Sequence, residues 1–300
     1  MKKCLCSLIV ILCMVLTMVC DVSAAKGKEK DKPFYVNMNG VEMSKKDYLK
    51  AKKFFCDDTI KTLTKEQFEV VKDEEFTAVD SETKYFLTEY VENEDGGYET
   101  FETECSEEEA LQYVQTQEQN VSLCEIPTHT TAMKKITIGT YAGAANTKIA
   151  TVTNEWLSLP QVRSYDVIAV RFTSLSALSI LKANNATSGY QTWDGNTINY
   201  DSNGSNITIK TSNCNAGKAG VGIKMNIKDE VSRSLKMGLT VTYTRQGSNS
   251  YFVYGTYQHA TENLSDVKYS FSPVGMGNVL DLGSYASKYD NTSGVHVLGK

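Results

Sequence analysis

Hydrophobic and polar positions change their rhythm twice along this chain. The first stretch is a continuous apolar run from about Leu5 to Val19, preceded by Lys2 and Lys3 and followed by Val22-Ser23-Ala24 ahead of Ala25. Charge, apolar segment and small residues in that order predict a secretory signal peptide over residues 1–25. The run is shorter than the roughly 20 residues a spanning helix needs, so cleavage is expected rather than anchoring. Residues 26–43 then read as a Lys-rich tether and a short extended segment.

From Ser44 the apolar spacing becomes three and four. Ser44 with Asp47 approximates a capping box, and Tyr48, Ala51, Phe55 and Thr59 follow on one helical face. Thr64 with Gln67 repeats the signal ahead of Phe68 and Val71, so a second short helix folds back on the first. Two β-prone runs at 84–92 and 98–104 flank Asp95-Gly96-Gly97, which reads as a β-hairpin. Ser106 with Glu109 caps a further helix carrying Ala110, Leu111 and Val114. Residues 44–116 are therefore expected to form a small α+β module. Residues 117–133 are polar, contain Pro127 and hold no period, as a linker does.

Beyond residue 134 the rhythm shortens to two. β-prone runs recur near 147, 165, 206, 219, 235, 251, 267, 278 and 294. In the clearest, residues 235–244, Leu235, Met237, Leu239, Val241 and Tyr243 alternate with Lys236, Gly238, Thr240, Thr242 and Thr244, predicting one core face and one solvent face. Residues 165–173 and 251–259 are apolar or aromatic on both faces and read as central strands. The predicted class is α+β: a small acidic N-terminal α+β segment followed by an all-β sandwich, jelly-roll-like, over 134–300.

Charge sharpens the boundary. The chain carries a formal net charge of −5, but 25 acidic and 13 basic residues lie between 26 and 125, against 10 and 16 beyond. Opposite signs on neighbouring segments suggest two parts. Four of the eight cysteines fall in the signal, leaving Cys56, Cys105, Cys124 and Cys214, whose spacing leaves the pairing open and places Cys105 and Cys124 on either side of one helix. The strings NGVEMSKKDY at 39–48, RSYDVIAVRF at 163–172 and GTYQHA at 255–260 resemble segments of uncharacterised secreted proteins of Gram-positive bacteria. The resemblance implies export and the domain order, and carries over no functional residue.

The chain lacks a G-x-S-x-G elbow, an H-E-x-x-H helix, a phosphate-binding G-x-x-x-x-G-K-[ST] loop and a C-x-x-C pair. No cofactor, metal or nucleic-acid partner is expected, and membrane contact is not expected once the signal is cleaved. The histidines are His129, His259 and His296; the last two fall in strands and form the one pair that a sandwich could bring together. Asp194, Asp201, Asp281 and Asp290 could furnish a carboxylate pair for glycoside cleavage, although Asp194-Gly195-Asn196 reads better as a turn. Residues 235–259 share the alternation of a membrane-inserting β-hairpin, which 251–259 interrupts. Tyrosine, tryptophan and amide side chains suit stacking and hydrogen bonding to a polyol. Tyr190, Gln191, Trp193, Tyr257, Gln258 and His259 are accordingly the expected ligand-binding residues. The expected function is a secreted, non-catalytic surface-associated or ligand-binding protein recognising extracellular glycan or a cell-surface component. The alternative is an extracellular hydrolase using Asp and His residues.

Overall fold

Alternating apolar side chains dominate the chain, and each such strand has a face to bury. The computed structural model describes residues 32–94, 96–120, 131–144, 146–173, 178–180, 187–201, 207–210, 220–227, 234–245, 251–272, 279–290, 292 and 294–299. The signal peptide, most of the tether, residues 121–130 of the expected linker, Cys124 and Cys214 lie outside them. Tyr35–Lys300 forms one unit.

The chain opens with β1 (Tyr35–Val36) and β2 (Glu42–Met43), then α1 (Lys45–Ala51), α2 (Asp57–Thr62) and α3 (Lys65–Lys72). Strands β3 (Thr77–Glu92) and β4 (Tyr98–Cys105) form the expected hairpin, and α4 (Glu107–Asn120) follows. Next come β5 (Thr131–Ala142), β6 (Thr147–Ser158), β7 (Tyr165–Phe172), β8 (Leu178–Ile180), β9 (Thr187–Trp193) and β10 (Asn196–Asp201). The remaining strands are β11 (Ile207–Lys210), β12 (Gly220–Asn226), β13 (Leu235–Arg245), β14 (Tyr251–Gln258), β15 (Ser270–Phe271), β16 (Leu280–Asp281) and β17 (Val295–Gly299). The protein is thus mostly antiparallel β with few helices.

The helix starts follow the capping chemistry read from the sequence. Ser44 accepts from the Asp47 amide, Thr64 and Gln67 complete a reciprocal box, and Ser106 and Glu109 bond each other's backbone amides at 3.2 and 2.7 Å. One expectation fails locally. Phe55 and Thr59 do not continue α1; the helix ends after Ala51, and Thr59 belongs to α2.

Two large sheets organise the rest. An eight-stranded sheet runs β10-β9-β13-β6-β5-β3-β4, with β8 also on β13, and a five-stranded sheet runs β11-β12-β7-β14-β17. They share one core: Ile136, Ile138, Val152, Leu239 and Val241 from the first meet Ile168, Val170, Ile223, Val253 and Val297 from the second. Strands β7 and β14 are interior, as their two-sided apolar pattern predicts. The expected 235–259 hairpin does not form, because β13 and β14 lie in different sheets.

Two expectations about boundaries and faces are revised by this topology. The hairpin β3–β4, assigned by sequence to a separate acidic module, pairs through β3 with β5, so both halves of the chain build one sheet. The second face of β13 is not solvent-facing: Thr240 and Thr242 are buried. The cause is a helical layer, in which Phe55, Ile60, Leu63, Phe68 and Val71 from α1–α3 and their connections form a second core with Ile149 of β6. Gln67 anchors that layer through its side-chain amide to the Thr240 carbonyl at 3.1 Å. Helix α4 covers another part of the same face through Ala110, Tyr85 and Met133.

The outer face of the five-stranded sheet carries a smaller core of Val167, Ala169, Val267, Phe271, Leu280 and Leu282. Its edge strand β17 is guarded by β3: Glu82 accepts from the His296 amide at 2.5 Å and Asp80 from the Leu298 amide at 3.0 Å. Leu239 is almost fully buried between the sheets, so Leu239→Ala is expected to cost about 2–5 kcal/mol, read as a lower urea midpoint with an unchanged slope.

Candidate functional site

Successive residues of a strand point to opposite faces, so the outer face of the eight-stranded sheet presents odd-numbered residues of β5 and β6. Register then builds rows across strands. Lys135 pairs with Glu155, and Glu155 with Lys236, giving a Lys–Glu–Lys row across β5, β6 and β13. The next row runs Thr137, Thr153, Gly238, Tyr190 across β5, β6, β13 and β9. Gly238 has no alternative here: a Cβ would lie 2.2 Å from the ring of Tyr190, which crosses directly over it.

These rows floor a cleft of about 260 Å³, walled by Phe54, Phe55, Cys56, Asp58 and Thr59 from the α1–α2 region and closed at one end by Tyr141. The walls are tied to one another. Tyr141 donates its hydroxyl to the Phe54 carbonyl at 3.0 Å, packs 4.9 Å from Phe55 and stacks on Phe76. Tyr190 brings its hydroxyl to 3.4 Å from the Cys56 sulfur, and burial pushes its pKa well above the usual phenol value. A smaller hollow of about 140 Å³ shares Asp58 and Lys236 with the cleft and is bounded by Lys61, Thr192, Trp193, Asn196 and Ser234. Its rim is the β9–β10 turn, where Asp194 and Gly195 both take positive φ, 44° and 85°, as a two-residue hairpin turn demands.

The charges in the cleft are largely matched. Lys236 meets Glu155 at 2.7 Å and Lys61 meets Asp58 at 3.3 Å. Burial opposes the Lys236 charge, but the hydrogen bond and charge of Glu155, with Asp58, more than reverse this and hold its pKa up. The Lys135 ammonium lies 5.6 Å from the centre of the Tyr85 ring. The surface thus offers hydroxyls, paired charges and aromatic edges in one concavity, the mixture that small-ligand sites use.

Of the six residues expected to bind ligand, Tyr190 lines the cleft, and Trp193 borders only the smaller hollow while packing against the core between the sheets. Gln191 lies on the opposite face of β9, buried, where it accepts from the Tyr200 hydroxyl at 3.4 Å. Tyr257, Gln258 and His259 are buried at the end of β14 and form no exposed aromatic face. They belong to an internal polar cluster. Tyr257 donates to Asp166 and accepts from the Trp156 indole at 3.1 Å; His259 Nδ1 lies 2.9 Å from the same Asp166 carboxylate. Beside it Lys134 bridges Glu102 and Asp290, the latter at 2.5 Å, and bonds Thr292 Oγ1 at 2.5 Å.

This cluster gathers the elements of proton transfer, yet its residues line neither cavity. The expected His259–His296 pair is not brought together either. His296 is half exposed on β17 and stacks on Tyr254 at 5.4 Å, whereas His259 is sealed in the interior. Asp194 serves the turn, Asp281 is exposed on β16, Asp290 is buried, and the side chain of Asp201 lies outside the described residues. Among the described residues Cys56 and Cys105 form no disulfide, and no group of three or more His, Cys, Asp or Glu side chains is placed to hold a metal ion. No described helix is long and apolar enough to cross a membrane.

Sequence reasoning missed Lys135, Thr137, Thr153, Glu155 and Lys236. Each sits at an outward position of an alternating strand, but only the register makes neighbours of residues a hundred positions apart. Gly238→Ala is expected to push Tyr190 off the cleft wall and cost about 1–3 kcal/mol in urea unfolding, with the loss relieved when Tyr190→Ala is added.

No family model matches the chain, and no curated protein matches it. Among solved structures, a chain titled BspA_C_WT is similar over 60% of this chain and 76% of its own, at 7% identity and a TM-score of 0.27. A chain titled pore forming protein is similar over 57% of this chain and 86% of its own, at 12% identity and a TM-score of 0.22.

Proposed function

We propose that this is an exported, non-catalytic ligand-binding protein, with an acidic α+β segment packed onto a jelly-roll-like sandwich, and that the cleft beneath α1–α2 takes a small polyhydroxylated ligand of the saccharide class. The observation that carries the reading is the composition of that cleft. Thr137 and Thr153 hydroxyls lie on its floor between the Glu155–Lys236 pair and the Phe54, Phe55, Tyr141 and Tyr190 walls, with Trp193 beside the adjoining hollow. A sugar ring needs both kinds of surface: an apolar patch for its C–H face and paired donors and acceptors for its hydroxyls.

The pairing of charges argues against hydrolysis here. Glycoside cleavage uses two carboxyl groups across the scissile bond, one of them held as an acid. In the cleft Glu155 and Asp58 are each held by a lysine, which leaves them acting as hydrogen-bond acceptors. The aromatic face first expected from Tyr257 and His259 is replaced by this one, which retains Tyr190, with Trp193 at the edge of the adjoining hollow.

A glycan array probed with the signal-cleaved chain, followed by calorimetric titration of the strongest hit, tests the reading. Trp193→Ala and Lys236→Met are each expected to weaken binding at least tenfold, about 1.4 kcal/mol, while Tyr254→Ala on the other sheet leaves affinity unchanged. Equal affinity in all three variants would overturn the assignment of the cleft, and turnover of the bound glycan would overturn the non-catalytic reading.

A further inference from the structure

We propose that Glu102, Lys134, Asp166, His259 and Asp290 form a sealed one-proton latch that fastens the C-terminal segment bearing Asp290, Thr292 and β17 to both large sheets, and that loosens as the medium passes from acid to neutral. The latch is independent of the ligand cleft. Its parts come from both large sheets and the segment that follows them: Glu102 from β4 and Lys134 from β5 in the eight-stranded sheet, Asp166 from β7 and His259 from the end of β14 in the five-stranded sheet, and Asp290 from the chain between β16 and β17.

The bonding is dense. Asp290 Oδ2 accepts from Lys134 at 2.5 Å while Asp290 Oδ1 accepts from the His259 amide at 2.8 Å. The Asp290 amide returns a bond to the His259 carbonyl at 2.9 Å, and Gln258 donates to the Thr292 carbonyl at 3.1 Å. Asp166 Oδ1 accepts from the Ala260 amide at 2.9 Å, and its other oxygen serves Tyr257 and His259. Residue 290 therefore adds a polar tie between β5 and the end of β14, on top of the core they share.

Charge decides the rest. Three carboxylates face one lysine and one histidine, and Lys134, Asp166, His259 and Asp290 are each at most 2% exposed. The other ionisable groups turned to the cluster, Tyr90, Tyr257 and Tyr289, are phenols that burial holds neutral by raising their pKa values. Even with His259 counted as a cation, one negative charge is left over in a medium that solvates it poorly. A single carboxyl proton removes the surplus.

Asp290 is the group that holds it. Burial first, then the Glu102 carboxylate, raise its pKa to about 7. Glu102 goes the other way: burial opposes its charge, but Lys134 and the hydrogen bonds from Thr292 and Asp290 outweigh this and lower its pKa. In the unfolded chain Asp290 titrates near its ordinary 3.8. Between about pH 4 and 7 the folded protein thus keeps a proton that the unfolded chain has lost, and stability from this group, complete below that window, disappears as pH climbs through 7. Glu102 has the opposite sign and acts below its ordinary 4.5, so the loss from Asp290 is read cleanly above about pH 5.

The test follows the signal-cleaved protein from pH 5 to 8 by thermal melting and by amide hydrogen exchange corrected for its intrinsic pH dependence. The folding constant is expected to fall by up to tenfold per pH unit between 5 and 7. Exchange in β17 should rise at least tenfold over that span while β5 and β6 stay protected. Asp290→Asn keeps the shape and removes this carboxyl's titration, so its loss of stability between pH 5 and 7 should be clearly smaller than the native protein's. If that variant does not fold, Glu102→Gln, which removes the surplus charge, should show the same reduction. A native profile that is flat or rises from pH 5 to 7, β17 exchange that does not change, or a variant that keeps the native slope would each overturn the latch.

Discussion

The central strands of the eight-stranded sheet, β13, β6 and β5, pack on the second sheet with one face and carry helices on the other, and nearly everything else in the molecule follows from that. A sheet in contact with a second sheet on one side can leave the other wet, and here it does not. Ile136, Val152 and Leu239 point inward to the shared core, while Ile149 and the buried Thr240 and Thr242 point outward beneath α1–α3. Two helical patches, α1–α3 and α4, cover that outer face without meeting over its middle. The cleft lies at the margin of the first patch, where the α1–α2 region overhangs the uncovered part of β5, β6 and β13.

How much of this could be read from the chain depends on whether the information is local. The capping residues Ser44, Thr64 and Ser106 act within one turn, and each opens a helix where its hydroxyl predicts one. The alternation of β13 is equally local, and its five inward residues all enter the core. The polarity of its other face misled, because threonine is at home both in water and beneath a helix. Strands β9 and β10 escaped notice since their Asn, Gln, Gly and Asp residues resemble a loop; only the Asp194-Gly195 turn between them was visible.

The site was half legible for a similar reason. Tyr190 and Gln191 are neighbours in sequence, but the pleat sends one to the cleft and the other to the interior. Tyr257 and His259 carry the chemistry of a binding face and were drawn inside by Asp166, a partner nearly a hundred residues away. Aromatic composition can report that rings are present. It cannot report which side of a strand other elements will cover, and the Lys135–Glu155–Lys236 row exists only once three strands have paired in register.

Asp80 and Glu82 reach from β3 to the outward amides of β17. An edge strand ordinarily shows a ladder of unmet donors to any other extended chain. Here two anionic oxygens occupy the rungs a newcomer would need, so joining the sheet at that rim would first require stripping two carboxylates from their bonds and then placing a strand beside their charge. At this rim the five-stranded sheet is in this way guarded against elongation, and a second strand seeking to extend it is turned toward the opposite edge, β11.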